Sequence, residues 1–124
     1  MTTIRSREAS SAALADEAGQ RRNRVVFMPP DGQPSWYDKR HLFSYGGEDQ
    51  RYAAGKSQTM VEWRGWKIDL QICYDLRFPV WCRNDDGFDI QLFIANWPAP
   101  RVEAWRSLLK ARAIENQAIV IGVN

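Results

Sequence analysis

The stretch Trp66-Lys67-Ile68-Asp69-Leu70-Gln71-Ile72-Cys73-Tyr74-Asp75-Leu76-Arg77-Phe78-Pro79 decides the fold. Trp66, Ile68, Leu70 and Ile72 alternate with polar residues, the period of two that marks a strand with one buried face. The alternation stops at Cys73, and residues 75–83 read as a short helix. Cys73 therefore sits at an elbow between strand and helix. A side chain there points off the sheet edge. The next backbone N–H groups lie at a helix N-terminus, where they lower a thiol's pKa and can bind an oxyanion. Position alone makes Cys73 a candidate nucleophile, with a buried, inert cysteine at a strand end as the alternative. Cys82 has no such setting and reads as a packing residue.

Upstream of the elbow, Arg64-Gly65 turns the chain out of a short strand over 60–63. Residues 40–58 read as a long loop punctuated by Gly46-Gly47 and Gly55. Before it, Val25–Met28 and Ser35–Asp38 flank Pro29-Pro30-Asp31-Gly32, a turn signal that makes a hairpin. Downstream, residues 90–95 form a strand and Asn96–Pro100 a loop. Pro100 opens a helix over 101–117, with Trp105, Leu108, Leu109, Ala113 and Ile114 on one face. Residues 118–123 are a last strand. Strands alternating with helices in this half imply an α/β sheet.

The 124 residues are 44% hydrophobic and 26% charged with net charge +2, which suits one soluble globular domain. Acidic and basic residues are interspersed, so nothing points to nucleic acid, and no apolar run approaches a membrane span. Two cysteines make no disulfide framework, and no secretory segment opens the chain; the expectation is cytoplasm and reduced thiols. No His or Cys cluster has metal-ligand spacing, and no glycine loop cradles phosphate, so neither metal nor cofactor is expected. Residues 1–22 are polar and lack periodicity; they read as a poorly packed N-terminal arm, with 23–124 as the folded part.

A thiol nucleophile needs a base and a charge to stabilise the adduct. The single histidine, His41, lies between Arg40 and Leu42 and reads as structural. Lys39 and Glu48, taken alone, read as solvated charges.

Three segments together resemble the nitrilase superfamily of carbon–nitrogen hydrolases. They are Tyr37-Asp38-Lys39-Arg40-His41-Leu42-Phe43, Ile72-Cys73-Tyr74-Asp75-Leu76-Arg77-Phe78-Pro79, and Ala95-Asn96-Trp97-Pro98 followed by Ala111-Arg112-Ala113-Ile114-Glu115-Asn116-Gln117. The resemblance spans about residues 22–124 and is strongest to the bacterial omega-amidases, which cleave the terminal amide of short keto-acid amides. It implies part of a four-layer α-β-β-α sandwich, a small-molecule amide substrate, no cofactor, and packing as a homo-oligomer, commonly a dimer. It also implies roles. Cys73 forms a thioester, Lys39 and the backbone N–H of Tyr74 stabilise the oxyanion, and Glu48 holds the lysine. Asn96 and Trp97 line the pocket mouth, Asp75 and Arg77 support the elbow, and Arg112 and Glu115 are structural. Arg101 follows the Asn-Trp-Pro loop; it is either a partner for a substrate carboxylate or a surface charge at a helix start. The family's first glutamate, the general base, has no counterpart, since Glu8 and Glu17 lie in the polar arm. Residues 23–124 therefore read as a partial domain with impaired catalysis, or as an inactive interaction module of the same fold.

Overall fold

The computed structural model of the protein describes residues 12–16 and 18–124. Two sheets stack face to face. The first carries β1 (Ala12–Ala15), β2 (Arg21–Phe27) and β3 (Ser35–Asp38), all antiparallel. The second, in chain order, carries β4 (Met60–Trp63), β5 (Trp66–Ile72), β6 (Ile90–Ile94) and β7 (Ile119–Val123). Strands β4 and β5 form a hairpin, whose turn residues Arg64 and Gly65 take φ of 51° and 82°. Two positive φ values in a row match the right-handed twist of the flanking strands. Strands β5, β6 and β7 run parallel, and α1 (Val102–Asn116) makes the crossover between the last two.

The pleat sorts β5 into two faces. Ile68, Leu70 and Ile72 join Leu92 and Ile94 of β6 against Val25 and Tyr37 of the first sheet, closing the core between the sheets. Behind the second sheet, Phe93 packs with Leu76, Cys82, Trp97 and Trp105 beneath α1. The described residues thus give sheet, sheet and helix layers, an α/β architecture with three of the four layers that the resemblance implies.

Four details depart from the sequence reading. Residues 12–15 and 21–22, inside the stretch read as a loose arm, lie in paired strands, with Ala15 opposite Arg21 and Leu14 opposite Arg22. Arg22 reaches Asp16 at 2.9 Å across this hairpin, and Arg24 reaches Asp38 at 2.6 Å on β3, so the polar residues that hid β2 also hold it on both sides. Residues 1–11 of the expected arm lie outside the described residues. The helix expected over 75–83 is a single 3-10 run, Cys73–Arg77. It ends at Phe78 because the following Pro79 disfavours helical backbone in the residue before it. On α1, Ile114 is 67% exposed, and Arg112 takes the inward position instead, donating to the Leu76 carbonyl at 2.8 Å. Finally, β5 is covered on both faces: Asp69 and Gln71, the polar half of its alternation, are buried under the helical layer.

Gly55 meets the end of β3, its N–H donating to the Lys39 carbonyl at 2.8 Å. A Cβ there would overlap the Asp38 carbonyl oxygen. Gly55→Ala is expected to cost about 1–3 kcal/mol, the usual range for overpacking, read as a lowered urea midpoint.

Candidate active site

Lys39 leaves the end of β3 with its backbone pinned on both sides. Its N–H donates to the Asn23 carbonyl, and its own carbonyl accepts from Gly55, both at 2.8 Å. The side chain is 3% exposed and its Nζ lies 2.6 Å from Glu48 Oε2. Glu48 is delivered by two successive 3-10 turns, Ser44–Gly46 and Glu48–Gln50, joined at Gly47 with φ 71°. Its Oε2 also accepts from the Phe43 backbone N–H at 2.6 Å, and its Oε1 accepts from Asn23 Nδ2 at 2.7 Å. Burial pushes the Glu48 carboxyl up, but the bonds from Lys39, Phe43 and Asn23 outweigh it, and the group stays ionised below its ordinary range.

Cys73 occupies the elbow with φ 45°, a left-handed backbone that a side chain makes unfavourable. Asp75 holds that geometry. The carboxylate is fully buried, and one oxygen accepts from the Ile72 backbone N–H at 3.1 Å and from Tyr37 Oη at 2.7 Å. The other oxygen accepts from the His41 backbone N–H at 2.9 Å and pairs with His41 Nδ1 at 2.8 Å. Asp75 thereby ties the elbow to β3 and to the segment just after Lys39, two parts of the chain that share no sheet. His41 completes the clip, stacked on Phe78 with ring centroids 3.7 Å apart.

A cavity of about 290 Å³ opens over this junction. Lys39, Glu48, Cys73, Tyr74, Asn96, Trp97 and Arg101 all line it. Trp97 is buried, its indole N–H donating to the Arg101 carbonyl at 2.9 Å, and Arg101 lays its guanidinium 5.8 Å from the Phe43 ring centroid. Two polar lining residues escaped the sequence reading of the pocket. Arg77, expected as an elbow support, lies along the wall with its guanidinium 5.2 Å from the Trp97 ring centroid. Asn23 sits in the run Arg21-Arg22-Asn23-Arg24, where nothing local separates it from its charged neighbours.

The thiol's electrostatics differ from the elbow argument. Burial raises the Cys73 pKa, and Lys39 together with the Asn96 backbone N–H pulls it back only in part. The five-residue 3-10 run that begins at Cys73 is too short to supply the dipole of an α-helix. Cys82 is more deeply affected, pushed up to about 12 by burial. The cavity therefore presents one partly accessible thiol beside a buried cation, and the second thiol is inert.

The chain is 58% identical over 102 residues to omega-amidase YafV of Yersinia enterocolitica, covering 82% of this chain and 40% of that one. It is 53% identical over 116 residues to omega-amidase YafV of Escherichia coli K12, covering 94% and 45%. A solved CN-hydrolase superfamily protein of Xanthomonas campestris, described with an arsenic adduct in its active site, superposes with TM-score 0.86 at 51% identity, over 90% of this chain and 45% of that one. The chain thus spans less than half the length of these relatives. The carbon-nitrogen hydrolase family model matches residues 4–124, and with the elbow, the buried lysine and their shared cavity the conclusion is that the chain belongs to the carbon–nitrogen hydrolase family.

Proposed function

We propose that the cavity hydrolyses the C–N bond of a small linear amide by way of a thioester on Cys73. The observation that carries this is a thiol on a left-handed elbow, sharing one cavity with a lysine that Glu48 fixes at 2.6 Å. In this reading Cys73 Sγ attacks the amide carbonyl carbon. The developing oxyanion is met by Lys39 and by the backbone N–H of Tyr74. Ammonia then leaves, and water releases the acid. Arg101 pairs with a distal carboxylate at the cavity rim, which suits an ω-amide of a dicarboxylic acid, with Asn96 and Trp97 shaping the mouth.

Among the described residues, the carboxylate lining the cavity is Glu48, and it already accepts bonds from Lys39, Phe43 and Asn23. Those bonds hold it ionised below its ordinary range, which makes it a weak base for the thiol proton. General-base catalysis contributes roughly 100- to 10,000-fold, so hydrolysis of an unactivated amide by this chain is expected to be very slow. That feature also favours the second reading, a non-catalytic module that retains the site. The same proposal includes cytoplasmic residence, which the two free cysteines suit, and self-association as a dimer, supported by Ile119 and Ile121 standing 52% and 39% exposed on β7. No described helix is long and apolar enough to cross a membrane.

The test uses the full chain and a Cys73→Ala variant. Ammonia release from succinamate and 2-oxoglutaramate is expected to differ little between them. An activated p-nitrophenyl ester, whose leaving group needs no acid, is expected to acylate Cys73 and leave Cys82 untouched, as read by intact mass and peptide mapping. Acylation that ignores Cys73, or falls equally on both cysteines, would remove the enzymatic reading and leave the module.

A further inference from the structure

Asn23 gives the cavity a polar group whose direction is set by chemistry. Its Nδ2 donates to Glu48 Oε1 at 2.7 Å, and an ionised carboxylate paired with Lys39 only accepts. The amide cannot turn over without setting oxygen against oxygen. Oδ1 is therefore the atom left for a ligand, and among the described residues nothing donates to it. The backbone beneath is held by β2, whose register sets Asn23 opposite Ala13, and by the Lys39 N–H on the Asn23 carbonyl. The other charged groups of the lining are the cations Lys39, Arg77 and Arg101, and Glu48, already committed to three donors. A ligand whose carbonyl oxygen faces Lys39 and whose distal anion faces Arg101 still carries N–H groups that need an acceptor.

We propose that Asn23 Oδ1 accepts an N–H of the substrate carboxamide, so that Asn23 selects a primary amide over an ester of the same shape. The inference rests on the amide-hydrolase reading of this cavity. It makes Asn23 a specificity-determining residue, distinct from the groups that attack or stabilise charge.

Two small electrophiles separate the claims: acrylamide and methyl acrylate. Each adds to a thiolate in the same way. The Sγ–C bond forms at the terminal alkene carbon, the π pair moves to the α-carbon and takes a proton from water, and nothing leaves. No general base is required. Second-order rates of Cys73 modification in the 124-residue chain are measured by intact mass and peptide mapping, each divided by the rate with glutathione. The parent chain is expected to favour acrylamide. In Asn23→Leu that preference is expected to fall roughly tenfold, because loss of the bond to Glu48 acts on both reagents alike whereas only acrylamide loses an acceptor for its N–H. Asn23→Ser, smaller and still polar, is expected to do the same and guards against misfolding of the leucine variant. An unchanged preference in both variants overturns the proposal. So does an equal loss of both rates, which would mean that Asn23 acts only through Glu48 and Lys39. If the parent chain is modified at Cys73 no faster than at Cys82 by either reagent, the amide-hydrolase reading itself falls, and this inference with it.

Discussion

Lys39→Met is expected to cost about 3–5 kcal/mol of stability, a large share of the roughly 5–15 kcal/mol that holds a domain folded. Lys39 is 3% exposed and Glu48 12%, with 2.6 Å between Nζ and Oε2. Removing the lysine leaves a carboxylate inside the protein with two neutral donors and no counter-charge. Much of the cost is therefore the unpaired charge, and the worth of the pair is smaller. Lys39→Met combined with Glu48→Gln is expected to recover more than half of the loss, since no buried charge then remains. Urea denaturation of the parent, both single variants and the double variant measures the coupling. A single-variant loss under about 1 kcal/mol would mean that the pair behaves as an exposed one.

Asp69→Asn is expected to stabilise the chain at neutral pH. Asp69 is 3% exposed on the helix-facing side of β5, and its Oδ2 accepts from Gln71 Nε2 at 2.9 Å and Gln91 Nε2 at 2.8 Å. Two amide bonds do not replace the water lost on burial. Desolvation pushes the carboxyl from 3.8 to about 6. A folded pKa above the unfolded one means that the folded state holds its proton more tightly. The stability associated with the neutral form is complete below pH 3.8 and is lost as pH rises to about 6. The difference of roughly two units, at about 1.36 kcal/mol each, amounts to ~3 kcal/mol above that window. Asparagine never ionises. Its amide also offers donors in a region where Gln71 Oε1 and Gln91 Oε1 have no partner. Denaturation midpoints are expected to coincide near pH 4 and to separate, with the variant higher, by pH 7.5. A variant no more stable at pH 7.5 would mean that water reaches the carboxylate.

Most strands were legible because their signals are local. The alternation over Trp66–Ile72, the Pro-Pro-Asp-Gly turn and the Arg-Gly turn each act within a few residues, and the structure has strands where they predict them. The first hairpin was not, because Arg21-Arg22-Asn23-Arg24 looks solvated until Asp16 and Asp38 are seen facing it. The candidate site divides in the same way. The family resemblance carried by the lysine, cysteine and Asn-Trp-Pro segments implies Lys39, Glu48, Cys73, Asn96 and Trp97 as a set. Asn23 meets Glu48 across 25 residues of chain, and no periodicity reports a contact of that kind.

By itself the sequence determined the strand periods, the turns and the elbow that presents Cys73, since each depends on backbone preferences of neighbouring residues. Only the tertiary structure decided what lies on each face of those strands. The polar half of β5 reads as a solvent face, yet the layer carrying Leu76, Cys82 and Trp105 covers it, so Asp69 and Gln71 are buried polar groups. The same packing raises the Cys73 pKa where the elbow alone would lower it. In both cases the reason is desolvation, which depends on every chain segment that excludes water from a group and is therefore absent from the local order of residues.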